Sequence, residues 1–135
     1  MALVLVVDDD VEELEALVEI VRSGGHRTVK ARSGTAALDI LDGETEVDLM
    51  VTDIMMPGLN GFNLARMARM RRSGLKILYV TGFHEQTDAM RDSGQRFGKL
   101  LLKPLRSADL LREVDVALRP DPIPATDLFV DHVSK

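Results

Sequence analysis

No cysteine occurs in the 135 residues, so neither a disulfide framework nor a zinc site of cysteine type holds this chain together, and stability has to come from packing. Histidine is scarce: His26, His84 and His132 lie far apart without metal-ligand spacing and read as surface residues. No apolar run reaches membrane-spanning length. The opening stretch, Met1 to Val7, runs straight into Asp8, Asp9 and Asp10 without a basic leader or cleavage site, which argues against a signal peptide or membrane helix and points to the cytoplasm. The basic residues are scattered and the formal net charge is −5, which leaves no electrostatic footprint for a phosphate backbone, so direct nucleic-acid binding is not expected. What the chain does have is 45% hydrophobic residues, enough at this length for one domain with a core.

The apolar residues fall into an alternating pattern. Ala2 to Val7 is an unbroken apolar run, as expected of a strand buried on both faces in a parallel sheet. Val11 to Val21 then places Val11, Leu14, Val18 and Val21 on one helical face with Leu17 alongside; Asp10 is positioned to cap it, with Glu13 as the partner of a capping box. Gly24-Gly25 ends that helix, and Arg27 to Ala31 reads as a second strand. Ser33 begins a second helix carrying Ala37, Leu38 and Leu41, followed by a third strand, Val47 to Thr52, that stops at Asp53. After the turn signals Pro57-Gly58 and Asn60-Gly61, a third helix carries Leu64, Met67, Ala68 and Arg71 and closes at Gly74; Leu75 to Val80 is the fourth strand. A weak fourth helix over Glu85 to Ser93, a fifth strand over Gly98 to Leu102 and a fifth helix capped by Ser107 complete the series before Pro120, Pro122 and Pro124 break it. Five strands alternating with five helices predict an α/β fold, an open doubly wound parallel sheet of order 2-1-3-4-5. The domain spans residues 1–118, with a flexible proline-containing tail over 119–135.

In such sheets ligands bind beyond the carboxyl ends of the strands, where the strand order reverses. Asp8 and Asp9 follow the first strand, Asp53 the third, Thr81 the fourth and Lys103 the fifth, so five polar residues are brought to one edge. Three carboxylates crowded there would be driven towards protonation unless a cation neutralised them, and hard oxygen donors point to magnesium, for which manganese can substitute. Lys103 adds a second positive charge and Thr81 a hydroxyl donor. A carboxylate beside both cations is a competent nucleophile for phosphorus. Each residue alone has a plainer reading: Asp10 as a helix cap, Asp53 as a turn residue, Lys103 as a solvated strand end, and Met55, Met56, Met67 and Met70 as core filler.

The pair Asp8-Asp9, the run Asp53-Ile54-Met55-Met56-Pro57-Gly58-Leu59-Asn60-Gly61, then Thr81-Gly82 and Lys103-Pro104 resemble, in order and spacing, the signature of response-regulator receiver domains of two-component signalling, over residues 2 to about 118. The resemblance implies a flavodoxin-like fold and a phosphoacceptor at Asp53. It implies magnesium held by Asp9 directly, by Asp8 largely through water, by Asp53 and by the Met55 backbone carbonyl, with Thr81, the Gly82 amide and Lys103 contacting the phosphoryl group. The implied function is a switch that takes a phosphoryl group from a sensor histidine kinase or histidine phosphotransfer protein, assists its own phosphorylation and dephosphorylation, and is not a conventional enzyme. A downstream protein target is expected on the fourth helix, fifth strand and fifth helix, and a monomer or weak dimer is expected.

The sequence departs from that pattern at Leu100, where many receivers carry the Tyr or Phe that moves inward on phosphorylation. The resemblance also implies that Met55 and Phe83, two residues after the phosphoacceptor and two after the threonine, flank the path of the hydrolytic water; neither orients water well, which predicts a longer-lived phosphoryl-aspartate than in the fast-resetting chemotaxis regulators. After Leu118 no room for a helix-turn-helix output domain is expected. Other functions stay open: a hydrolase of the haloacid dehalogenase class would want a second Asp where Met55 stands, a flavin carrier would want a phosphate loop where Asp8 and Asp9 stand, and a constitutive scaffold would leave the acidic site unused.

Overall fold

A computed structural model describes residues 2–82 and 97–120. Within them lie strands β1 (Leu3–Val7), β2 (Arg27–Ala31), β3 (Leu49–Asp53), β4 (Lys76–Thr81) and β5 (Gly98–Leu102), and helices α1 (Val11–Ser23), α2 (Gly34–Asp42), α3 (Gly61–Arg71) and α4 (Ser107–Leu118). α4 is the helix expected as the fifth; the weak helix expected over 85–93 and the tail beyond Pro120 lie outside the described residues. All strands are parallel, in the order β2-β1-β3-β4-β5, the α/β doubly wound arrangement expected. The register aligns Val7 with Ala31 and Thr52, and Asp53 with Val80, so the strands end along one edge. Because the chain turns one way from β1 and the other way from β3, the crevice between Asp8 and Asp53 is the switch point of the sheet.

Side chains of each strand alternate between two apolar layers. One layer joins Val4, Val6, Leu49, Val51, Leu78 and Val80 to Leu14, Val18 and Val21 of α1 and Leu110 and Val114 of α4. The other joins Leu5, Val7, Met50, Ile77 and Tyr79 to Leu38 and Leu41 of α2 and Leu64 and Ala68 of α3. Each fully buried aliphatic side chain contributes about 1.5–3 kcal/mol relative to exposure, so the double layer, rather than any polar contact, is the main support of the fold. Phe62 meets Tyr79 edge to face at 4.9 Å in the second layer.

The helix ends follow local chemistry. Asp10 caps α1 by accepting the Glu13 N–H (3.0 Å), Ser33 caps α2 by accepting the Ala36 N–H (3.0 Å), and Asn60 caps α3 by accepting the Asn63 N–H (2.9 Å). Gly25, at φ +89°, supplies the left-handed turn after α1, where a side chain would be strained. At the far end of α2, Arg72 donates to the Leu41 and Gly43 carbonyls (3.1 and 3.0 Å), and Arg71 pairs with Asp42 at 2.6 Å, tying α3 to its neighbour.

Several expectations need correction. Val11 is 46% exposed, because the first residue of α1 lies past the strand ends with no sheet beneath it. Ser107 is the first helical residue of α4; Arg106 stands at the cap position and makes no side-chain capping bond. α3 stops at Arg71, and the Arg72 N–H bonds to the Ala68 carbonyl before Gly74 is reached. β3 starts at Leu49 because Asp48 is engaged with Leu3, its carboxylate accepting the Leu3 N–H at 2.9 Å. Met70 is 80% exposed and fills no core. His26 is half-buried rather than freely exposed: its side chain is 14% exposed and faces Asp115 at 3.4 Å.

Candidate functional site

The strand ends bring Asp8, Asp53, Thr81 and Lys103 to one edge of the sheet. Asp8 follows β1 and is fully buried, its Oδ1 accepting the Asp10 N–H at 3.0 Å. Asp53 is the last residue of β3 and 6% exposed, its Oδ1 accepting the Ile54 N–H at 2.9 Å. Thr81 closes β4 and is buried, and its carbonyl accepts the Lys103 N–H at 2.8 Å, which pins the loop after β5 to the end of β4. The Lys103 stem packs beside Gly82, and the Lys103–Pro104 peptide bond is cis. Gly61 allows the loop after β3 to fold tightly, since a Cβ there would strike the Asp53 carbonyl oxygen and lie 2.8 Å from the Ile54 Cα.

The Lys103 Nζ is the hub of the site. It stands 2.9 Å from Glu13 Oε2, 3.4 Å from Asp8 Oδ2 and 3.8 Å from Asp53 Oδ1. Asp8, Glu13 and Asp53 each offer a carboxylate oxygen within 4.8 Å of the others. Glu13 and Asp53 line a cleft of about 650 Å³ whose wall also includes Asp9, Met55, Gly82 and Lys103, while Asp8 lies buried behind it. Asp9 thus reaches the cleft but is not among the three tightly grouped carboxylates. Phe83 lies outside the described residues. Leu100 sits in β5 opposite Tyr79 of β4 and packs, partly buried, against the layer that holds α2 and α3.

Crowding and burial perturb the ionisable groups. Burial pushes the Asp53 carboxyl up to about 6 from an ordinary 3.8; Lys103 and the Ile54 N–H pull it down, and the charges of Asp8 and Glu13 push it further up. Asp8 is also raised, chiefly by burial, against the Asp10 N–H bond and Lys103. For Lys103, burial is the largest single influence and lowers its pKa. The Glu13 hydrogen bond and the charges of Asp53 and Asp8 together outweigh it, so the ammonium is held above its ordinary value.

Glu13 is the site residue that the sequence reading missed, having assigned it to a capping box. Asp10 does accept the Glu13 N–H, but the Asp10 N–H is already given to Asp8, so the reciprocal bond has no donor and the Glu13 carboxylate turns to Lys103. The available signal was its position: an acid at the third residue of the helix that leaves the site lies about one turn from Asp9 and on the cleft side.

Comparison with known proteins decides the family. The response regulator receiver domain model matches residues 4–115, most of the chain. The chain belongs to that family. This receiver domain is 32% identical over 123 residues to the response regulator receiver protein CpdR of Brucella abortus, covering 87% of this chain and 98% of that protein. It is 31% identical over 120 residues to the protein PilH of Pseudomonas aeruginosa, with the same coverage. Among solved structures it resembles a response regulator receiver protein from Pseudomonas putida (33% identity, TM-score 0.75, covering 85% of this chain and 96% of that one). It also resembles the response regulator protein TrrA from Thermotoga maritima in complex with Mg(2+)-BeF (28% identity, TM-score 0.75, covering 87% and 100%). Receiver domains are signalling proteins rather than conventional enzymes. No helix among the described residues is long and apolar enough to cross a membrane.

Proposed function

We propose that Asp53 is a phosphoacceptor and that its phosphorylation, in a magnesium-dependent step, switches partner binding. The observation that carries this reading is the position of Asp53: nearly buried, 3.8 Å from the Lys103 ammonium and grouped with the Asp8 and Glu13 carboxylates. A phosphohistidine on a sensor kinase or phosphotransfer protein is the donor. The Asp53 carboxylate oxygen attacks phosphorus, the phosphorus–nitrogen bond breaks, and the imidazole leaves with a proton. Lys103 balances charge on the transferring group, and Thr81 and the Gly82 amide donate to its oxygens.

The donor set suits a hard cation, because the grouped ligands are carboxylate oxygens with no sulfur or imidazole among them. Asp8, Asp9, Asp53 and the Met55 carbonyl would hold Mg2+, with Mn2+ as a substitute. The ion supplies Lewis-acid neutralisation of phosphoryl charge. The likeness to TrrA in complex with Mg(2+)-BeF supports that assignment.

Residues 1–118 form the switching domain under this reading, in the cytoplasm, and β5 with α4 and the expected fourth helix carries the downstream partner. Met55 and Phe83 govern access of hydrolytic water, so Met55→Asn or Phe83→Glu shortens the life of the phosphoryl-aspartate. Leu100 replaces the aromatic switch residue, so coupling to the Thr81 end passes through aliphatic repacking. Incubation with acetyl phosphate, with and without Mg2+, followed by intact-mass spectrometry tests the reading. The expected result is a single phosphoryl adduct that requires the ion and is lost in Asp53→Asn; equal uptake by that variant would overturn it.

A further inference from the structure

The proposed function makes Lys103 a partner of the acceptor carboxylate, yet its shortest ionic contact is to Glu13, at 2.9 Å against 3.8 Å to Asp53. The contact is built by the backbone around it. Asp10 holds the Glu13 N–H at 3.0 Å, fixing that residue at the cleft wall, while Asp8 takes the Asp10 N–H at 3.0 Å and so frees the Glu13 carboxylate from capping. Asp8 and Asp53 are buried, whereas the Glu13 side chain is 46% exposed and free to swing outward. We infer that Glu13 is a latch on Lys103: in the resting protein it holds the ammonium towards α1, and the phosphoryl form requires that bond to be released, so Glu13 sets how readily the switch is thrown. It is a positioning residue, acting on the phosphoryl group only through Lys103, and the inference rests on the phosphoacceptor reading of Asp53.

A half-exposed ion pair contributes modestly, so release is cheap enough for a reversible switch and the effect expected on removing it is about two- to fivefold. The test is 19F nuclear magnetic resonance titration of the whole chain with beryllofluoride at saturating Mg2+, comparing the native protein with Glu13→Gln and Glu13→Asp. Aspartate keeps the charge beside the cleft but is one carbon–carbon bond, about 1.5 Å, shorter and cannot span to Lys103 from the same backbone position. Both variants should bind beryllofluoride about two- to fivefold more tightly than the native chain. In the metal-free protein, reductive methylation of Lys103, read by mass spectrometry, should be faster in both. If only Glu13→Gln binds more tightly, simple charge repulsion is at work and the latch is overturned; unchanged affinity in both, or unchanged Lys103 reactivity, also overturns it. Failure of all three forms to take up beryllofluoride would overturn the phosphoacceptor reading and the latch with it, whereas equal uptake by all three would overturn the latch alone.

Discussion

Replacing Asp53 by Asn should make the metal-free protein more stable, although it abolishes the proposed chemistry. The Asp53 carboxyl is raised from 3.8 to about 6, so the folded state holds its proton more tightly than the unfolded chain does. A raised carboxyl contributes its stability below the unfolded value and loses it as the pH climbs through the folded one; above about pH 6 the ionised group is therefore a net liability. The rise from 3.8 to about 6, at about 1.36 kcal/mol per pH unit, corresponds to roughly 3 kcal/mol, and Asn, shaped like the protonated acid, escapes that penalty. Urea unfolding followed by circular dichroism, with chelator present, should show Asp53→Asn ahead by about 3 kcal/mol near pH 7.5, and ahead by only about 1 kcal/mol near pH 4.5. Mg2+ at about 100 times its dissociation constant should return about 2.7 kcal/mol to the native chain alone and nearly close the gap. A variant less stable than the native protein at neutral pH, or a difference that does not change with pH, would refute the reasoning.

Lys103→Met should weaken beryllofluoride binding by at least about tenfold, the scale of a lost charge-assisted hydrogen bond of about 1.5–3 kcal/mol, while Mg2+ still binds; unchanged beryllofluoride affinity would count against its assigned role. Gly61→Ala should cost about 1–3 kcal/mol in urea unfolding, since the new methyl meets the Asp53 carbonyl and Ile54 backbone, neither of which yields as a side chain would. Mg2+ and beryllofluoride should bind cooperatively, so that the half-saturating Mg2+ concentration falls at least about tenfold with the mimic present, and the reverse titration must show the same factor. Independent binding of the two would contradict the charge balance inferred for the cleft.

The middle of the sheet was legible because β1, β3 and β4 are buried on both faces, so their sequences are nearly continuous apolar runs bounded by turn residues, whereas the half-exposed edge strands β2 and β5 were marked by the turn residues around them. β2 and β5 have the expected bounds, and the parallel alternation alone assigns the polar residues at the strand ends to one edge. What failed was what depends on neighbours rather than on period. Val11 fits the helical stripe but lies beyond the sheet that the stripe packs on, and Met70 has the composition of core without a layer to enter. The same limit hid Glu13. Its spacing from Asp10 is that of a capping box, and only the competing claim of Asp8 on the Asp10 N–H redirects its carboxylate to a lysine 90 residues away.

Under the phosphoacceptor reading proposed above, charge counting around Lys103 gives a reason why the site would need a cation before it held a phosphoryl group. Glu13, Asp8 and Asp53 bring three negative charges to one ammonium, and Asp9 stands at the wall of the same cleft. Asp53 is reluctant to ionise chiefly because it is buried, and the charges of Asp8 and Glu13 add to that against the pull of Lys103. A phosphoryl group carries about −1.5 to −2 where the carboxylate carried one charge, so adding it to the unneutralised cluster would deepen the imbalance in a partly dry cleft. Lys103 alone cannot offset this while Glu13 occupies it. On the proposed reading, two adjustments would bring the site towards balance: a divalent ion on the Asp8–Asp53 side, and transfer of the ammonium from Glu13 to the phosphoryl oxygens. The first would act on the buried acids, Asp8 and Asp53, and the second on the exposed one, Glu13, so the two adjustments would fall on different residues of the same cluster.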